Sequence, residues 1–285
     1  MAEEYRIAKS LDGFTWFISR EDSYLPVTMQ EYLLIEALKE LGGKDRVFVD
    51  VGAHVGEYSV RLARHYRKVY AFEPNPESYY TLLKNIELNK LNNIKVYMVA
   101  LGEKRCRSTL YVRGGSSTLL PVEDADKTFP VEVYTMDEVI DRADVVKIDV
   151  EGCEYFVLQG MKRILRECKP TLLIEHHKFR GYTNIEKGKE SIKKFLKGYL
   201  AIDLDDCHTL YVGRSDELNR MYTAVWIHWS YRTFKNLANG KPWYFGLPYT
   251  WWWGYNQLEF ILALKARLRF ETEWFDIIKR DCVLK

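Results

Sequence analysis

Apolar positions recur at three- and four-residue spacing over residues 28–41, "TMQEYLLIEALKEL", and stop at Gly42-Gly43. The spacing predicts an α-helix with a glycine stop. Beyond it the pattern shortens into apolar runs at 46–51, 68–73, 94–99, 144–150 and 171–176. These runs lack two-residue alternation, as expected of strands buried on both faces. Helical patterns, "EYSVRLARHY" and "ESYYTLLKNIELNK", separate the first three. Strand, helix and strand at this spacing predict right-handed crossovers and a parallel sheet covered by helices on both faces. The gap from 100 to 143 is too long for one crossover and predicts a hairpin, "RSTLYV" and "FPVEVYT", joined by "GGSSTLLP". "YLAIDLDD" and "HTLYVGR" flank a turn at Cys207 and predict a terminal antiparallel pair. The chain therefore divides into a lead segment with a helix (1–45), an α/β sandwich (46–213) and an extension (214–285).

Composition adds limits. The 285 residues carry 42 basic and 40 acidic side chains and 47% hydrophobic residues, so charge suggests no nucleic-acid partner. No apolar run reaches the roughly 18 residues of a membrane span. "MAEEYRIAKS" lacks the basic start and apolar core of a signal peptide. The five cysteines form no CxxC pair, which argues for reduced thiols, against zinc, and for a cytoplasmic protein. From residue 222 the composition turns aromatic: seven of the eight tryptophans lie there, around "PWYF" and "YTWWWGY", before a final helical pattern "NQLEFILALKARLRFETEWFDIIK". Its glycines and prolines suit a rigid wall or lid over an acceptor. Peripheral membrane contact, stacking on nucleobases and a homodimer surface are the competing readings.

The stretch "VFVDVGAHVGEYSV" carries the first chemistry. An acid-ended strand turns through Gly52 and Gly56 into a helix start. Glycines there let a ligand approach the backbone, and the helix start offers free N–H groups. The pattern D-x-G-x-x-x-G puts Ala53 and His54 where a dinucleotide loop would carry its middle glycine. Glu73 ends the next strand, where an acid accepts hydrogen bonds from ribose hydroxyls and repels a 2′-phosphate. Asp50 would be a liability beside a pyrophosphate, yet it can reach an ammonium directly or through water. Asp50, Gly52, Ala53, His54, Gly56 and Glu73 together favour S-adenosylmethionine over NAD. The bland alternative is a glycine turn that serves helix–strand packing alone.

"VVKIDVEGCEYFVLQG" resembles the FkbM family of S-adenosylmethionine-dependent methyltransferases. "FVDVGAHVGEYS", "VYAFEPNP", "GGSSTL", "YTMDEVI" and "LLIEHH" follow in the family's order over about residues 46 to 205. The resemblance implies a Rossmann-like class I methyltransferase sandwich: a mostly parallel seven-stranded sheet with an antiparallel final strand. It also implies methyl transfer, usually to an oxygen, on small-molecule, sugar or lipid-linked acceptors, and adds Pro74, Asn75, Ala100 and Asp149 to the cofactor contacts. "AFEPNPESYYTLLKNIELNKLNNIKV" also looks like part of the tRNA guanine methyltransferases. Those carry an N-x-P-type loop after the fourth strand, where this chain has Asp149-Val150-Glu151-Gly152. RNA is the alternative acceptor, and a non-catalytic adenosine-binding module the third reading.

Ligands of open α/β sheets lie at the carboxyl ends of the strands. That gathers Asp149, Glu151, Glu175 and His176 as candidate catalytic residues. A carboxylate or imidazole could take a hydroxyl proton, or three carboxylates and a histidine could hold Mg²⁺ or Mn²⁺. Against these readings, Asp149 could cap the next helix or pair with Lys147, and Glu154 reads as structural. His177 ranks below His176 as the base, and His54 reads as a loop residue.

Overall fold

The computed structural model describes residues 5–18, 31–177, 185–217 and 220. A hairpin opens it, β1 (Arg6–Lys9) and β2 (Thr15–Ile18), followed by α1 (Tyr32–Glu40), β3 (Gly43–Val51), α2 (Glu57–Leu62), β4 (Tyr66–Phe72), α3 (Pro76–Leu88) and β5 (Ile94–Tyr97). Then come β6 (Ala100–Leu101), β7 (Cys106–Arg113), β8 (Ser116–Thr118), β9 (Lys127–Tyr134), α4 (Met136–Val139) and β10 (Val145–Ile148). The described chain continues through α5 (Glu154–Gln159), α6 (Lys162–Glu167), β11 (Thr171–Glu175), α7 (Ile185–Phe195), β12 (Leu200–Asp203) and β13 (His208–Val212).

The main sheet has seven strands in the order β12-β13-β11-β10-β3-β4-β5. Neighbours from β11 through β5 are parallel, and β13 runs antiparallel to both β11 and β12. The apolar runs form its centre because helices cover both faces. Val47, Val49 and Val51 of β3 pack with Val157, Leu158, Ile164 and Ile192 on one face. Ala71 packs with Val60, Leu82 and Trp16 on the other. Side chains such as Val145, Val146 and Ile148 are fully buried, each worth roughly 1.5–3 kcal/mol relative to exposure.

The structure departs from the sequence pattern in three places. The lead segment holds the β1–β2 hairpin, whose turn uses Gly13 at φ +85°. Phe17 N donates to Asn85 Oδ1 (2.7 Å) and Thr15 N to Asn89 Oδ1 (2.9 Å), which seats the buried Trp16 against α3. The expected hairpin exists as β7 and β9, yet it belongs to a separate four-stranded sheet, β6-β9-β7-β8. Its connection is longer than "GGSSTLLP", and Ser116–Thr118 folds back on β7. The strand read over 144–150 ends at Ile148, because Glu151 (φ +53°) and Gly152 (φ +98°) turn the chain.

Cys106, Cys153, Cys168 and Cys207 are free thiols. Among the described residues, no helix is long and apolar enough to cross a membrane. The aromatic stretch 222–285, with its final helical pattern and its lid reading, lies outside the described residues.

Candidate active site

A cavity of about 400 Å³ opens at the carboxyl ends of β3, β4 and β10. Gly52, Ala53, His54, Glu73, Pro74, Ala100, Asp149 and Glu151 line it, so eight of the residues expected from the sequence share one space. The Glu73 carboxylate is buried between two backbone donors, His54 N to Oε2 (2.7 Å) and Asn75 N to Oε1 (2.8 Å). Each oxygen keeps a further lone pair for a hydroxyl. Burial raises the Glu73 pKa, opposed by His54 and these donors. His54 itself sits at φ +48°, a conformation uncommon for a non-glycine residue, and it aims its N–H at Glu73.

Asp50, Gly56 and Asn75 stand behind the cavity wall. Asp50 is buried; Ser59 Oγ donates to its Oδ2 (2.6 Å), and its Oδ1 has no hydrogen-bond partner among the described residues. Burial raises its pKa, against the pull of Lys147. Asn75 caps α3, accepting from Glu77 N at 3.0 Å. The glycines answer to packing as well, and Gly52 also lines the cavity. A Cβ on Gly52 would fall 1.7 Å from the Asp149 carbonyl oxygen, and one on Gly56 would fall 2.3 Å from Leu82 Cδ1. Both have positive φ (+79° and +93°), so protein packing and backbone conformation require them. The cavity and the half-satisfied Glu73 fit S-adenosylmethionine, because Glu73 can accept from its ribose hydroxyls; Asp50, behind the wall, keeps an unpartnered Oδ1 among the described residues.

The second half of the site is acidic. Lys147 is buried and donates to Asp149 Oδ2 (2.7 Å), with its Nζ 4.7 Å from the Tyr58 ring centre. Burial alone would lower the Lys147 pKa; Asp149, Asp50 and Glu31 outweigh it and hold the ammonium charged. Burial would raise Asp149, and Lys147 and His177 overcome it, leaving the carboxylate easier to ionise. Glu151 moves upward through burial, partly countered by His177.

The imidazole among these carboxylates is His177, not His176. His177 Nδ1 lies 2.9 Å from Glu154 Oε1, and Nε2 faces Glu151 Oε2 (3.5 Å), Glu175 Oε1 (3.6 Å) and Asp149 Oδ1 (3.8 Å). Burial would lower its pKa, but the Glu154 hydrogen bond and the charges of Asp149 and Glu151 raise it to about 9. His176 corrects the sequence reading: it is buried on the opposite face, edge-on to Tyr211 (6.2 Å). Burial, with Lys189 nearby, pushes its pKa down to about 3, so it stays neutral and away from the crevice. Side chains alternate along a strand, so Glu175 and His177 share a face while His176 continues that of Ile174. That alternation was the missed signal. Glu154, read as structural, orients His177 and accepts from Gly152 N (2.9 Å). His208, beyond Glu175, was also missed; its Nδ1 lies 2.9 Å from Asp205 Oδ1 and its Nε2 3.5 Å from Glu175 Oε2.

A mostly parallel sheet whose last strand in chain order is reversed and inserted beside the edge, a glycine-turned strand and a ribose-ready acid define an S-adenosylmethionine-dependent class I methyltransferase fold. The methyltransferase FkbM domain matches residues 50–201, just over half of the chain, and the chain belongs to that family. It is 31% identical over 153 residues to Methyltransferase sdnD of Sordaria araneosa, covering 40% of this chain and 59% of that protein. The chain spans 59% of the length of the fungal relatives it matches. A 56-residue stretch is 41% identical to the tRNA(Phe) (4-demethylwyosine(37)-C(7)) aminocarboxypropyltransferase of Methanocaldococcus jannaschii, covering 19% of this chain and 22% of that enzyme. The crystal structure of Methyltransferase FkbM from Methylobacillus flagellatus KT is similar at a TM-score of 0.44 and 22% identity, covering 59% of this chain and 44% of that one.

Proposed function

We propose that this protein transfers a methyl group from S-adenosylmethionine to a hydroxyl of a small-molecule, sugar or lipid-linked acceptor. The observation that carries the reading is the meeting, in one cavity, of Glu73 with the Asp149–Glu151 carboxylates, backed by His177. When bound, S-adenosylmethionine supplies an electrophilic methyl group. The chain's own work is to hold the ribose at Glu73, to place the acceptor oxygen in line with the methyl, and to accept the hydroxyl proton.

Glu151 Oε2 is the proposed proton acceptor, because burial raises its proton affinity and it lines the cavity. Asp149, held by Lys147, orients the hydroxyl. The Glu154 hydrogen bond fixes the His177 ring so that Nε2 faces both carboxylates.

RNA is the second reading, supported by the segment that resembles tRNA guanine methyltransferases and by the short match to a tRNA-modifying relative. An acidic acceptor crevice repels phosphates, which favours the first reading. The test is to incubate the full chain with methyl-labelled S-adenosylmethionine and fractionated cell extract. Alkali-stable, ether-type label in small molecules, glycan or lipid supports hydroxyl transfer. Label confined to RNA overturns it.

A further inference from the structure

We infer that the crevice beyond the cofactor cavity is a binding site for a divalent first-row transition-metal ion, held by His177 Nε2, Asp149, Glu151 and Glu175. The inference concerns the same crevice as the methyl-transfer reading, and the experiment below separates the two.

The geometry around His177 carries it. A ring nitrogen has one proton or one lone pair, enough for one partner. Three carboxylate oxygens converge on Nε2, at 3.5, 3.6 and 3.8 Å, all beyond the about 2.7–3.2 Å of a hydrogen bond. Ligands each about 2.1 Å from a shared ion, at tetrahedral to octahedral angles, stand about 3.0–3.4 Å apart. Asp149, Glu151 and His177 each offer a ligand atom within 4.8 Å of the others, and Glu175 Oε1 lies 3.6 Å from His177 Nε2. The other ring nitrogen is already committed to Glu154 at 2.9 Å. A carboxylate there fixes ring orientation and tautomer, as outer-shell partners of metal-bound histidines do.

His208 is an independent observation. Its side chain is only 9% exposed, and its Nε2 has no hydrogen-bond partner among the described residues. That nitrogen is aimed at the far oxygen of Glu175 (3.5 Å), with Glu31 Oε1 at 3.9 Å. Two imidazoles thus face opposite oxygens of the Glu175 carboxylate, His208 at the edge of hydrogen-bond distance.

Charge points the same way. Asp149, Glu151, Glu154 and Glu175 surround His177, while Lys147 is bonded to Asp149 among the described residues. Even with both imidazoles protonated, these carboxylates outnumber the nearby cations, and Asp205 and Glu31 deepen the excess. An imidazole among carboxylates suits Mn²⁺ or Zn²⁺ better than Mg²⁺, which prefers oxygen ligands and its own water. Such an ion beside the cavity would lower the pKa of a hydroxyl that coordinates it.

The probe is manganous chloride added to the full chain, read by electron paramagnetic resonance of free Mn²⁺, with S-adenosylhomocysteine binding followed separately by calorimetry. The expected result is saturable loss of the free-ion signal, one ion per chain. Glu175→Gln and His177→Ala should each weaken binding at least tenfold. Glu154→Gln, which keeps every ligand, should weaken it roughly tenfold or more through the second shell. Each variant must keep the parent's circular dichroism spectrum, and Glu154→Gln serves where His177→Ala does not fold. A parent that binds S-adenosylhomocysteine but leaves Mn²⁺ free overturns the metal site alone, as does His177→Ala binding as tightly as the parent. A parent that holds Mn²⁺ yet transfers no methyl group to any fraction overturns the methyl-transfer reading and leaves the metal site standing.

Discussion

Gly52 and Asp149 are locked together: a single Cβ on Gly52 would come 1.7 Å from the Asp149 carbonyl oxygen. Gly52 follows β3 beside the cofactor cavity, and Asp149 follows β10 beside the acceptor crevice. Their backbones hold the two halves of the site in one register, with Asp149 N donating to Val51 O at 3.0 Å.

Gly52→Ala should therefore disturb both halves at once. Alanine at φ +79° costs roughly 1–2 kcal/mol, and the backbone overlap adds about 1–3 kcal/mol because a carbonyl cannot rotate aside as a side chain can. Thermal unfolding should show a drop of several degrees, with S-adenosylhomocysteine affinity reduced at least tenfold. Unchanged melting and affinity would mean that the strand ends are not packed as described.

Glu73→Ala tests the cofactor end. It removes the charged acceptor that two backbone N–H groups hold toward the cavity, leaving ribose hydroxyls and the His54 and Asn75 donors without it. Binding of S-adenosylhomocysteine should weaken by roughly 1–3 kcal/mol. Calorimetry returning the same affinity for mutant and parent would remove Glu73 from the site.

The two adjacent histidines should separate cleanly. His176→Phe replaces a neutral ring packed on Tyr211, whose Nε2 lacks a hydrogen-bond partner among the described residues, with a ring that needs none. Methyl transfer should stay within a few-fold of the parent. His177→Ala removes the imidazole shared by Asp149, Glu151 and Glu175, and turnover should fall by about a hundredfold or more. Label-transfer rates showing the reverse order would return His176 to the role expected from sequence.

That pair also shows what could be read without coordinates. β3, β10 and β11 were legible because strands buried on both faces must be apolar throughout, and the acids ending them stood out. Residue types at the site were legible; their facing was not. His176 stands at the strand end with Glu175 in sequence, although two-residue periodicity groups Glu175 with His177. The β1–β2 hairpin escaped because each strand has only four residues, and its burial of Trp16 depends on Asn85 and Asn89, some seventy residues away in sequence. Ser116–Thr118 escaped for a similar reason: its short pairing on β7 is a tertiary fact, yet it brings Ser116, Ser117 and Thr118 to the cavity. The glycines were legible as positions without a Cβ, but the atoms that a Cβ would strike were not.

Glu57 gives a prediction in pH. Its carboxyl lines the cavity at the start of α2 with 14% of the side chain exposed, and its pKa is raised from 4.5 to about 7. Burial is the main cause; Arg61 opposes it and Glu31 adds to it. An acid whose folded pKa lies above its unfolded value is protonated more readily in the folded state. Its contribution is therefore fully present below about pH 4.5 and is lost as pH rises to about 7, a loss on the order of 3 kcal/mol before solvent screening. Glu57→Gln removes the titrating group while Arg61 keeps its Asp12 partner at 2.5 Å. Without cofactor, the variant should melt several degrees above the parent at pH 8 and much closer to it at pH 5. A melting difference that is the same at both pH values would show that Glu57 ionises normally in the folded protein.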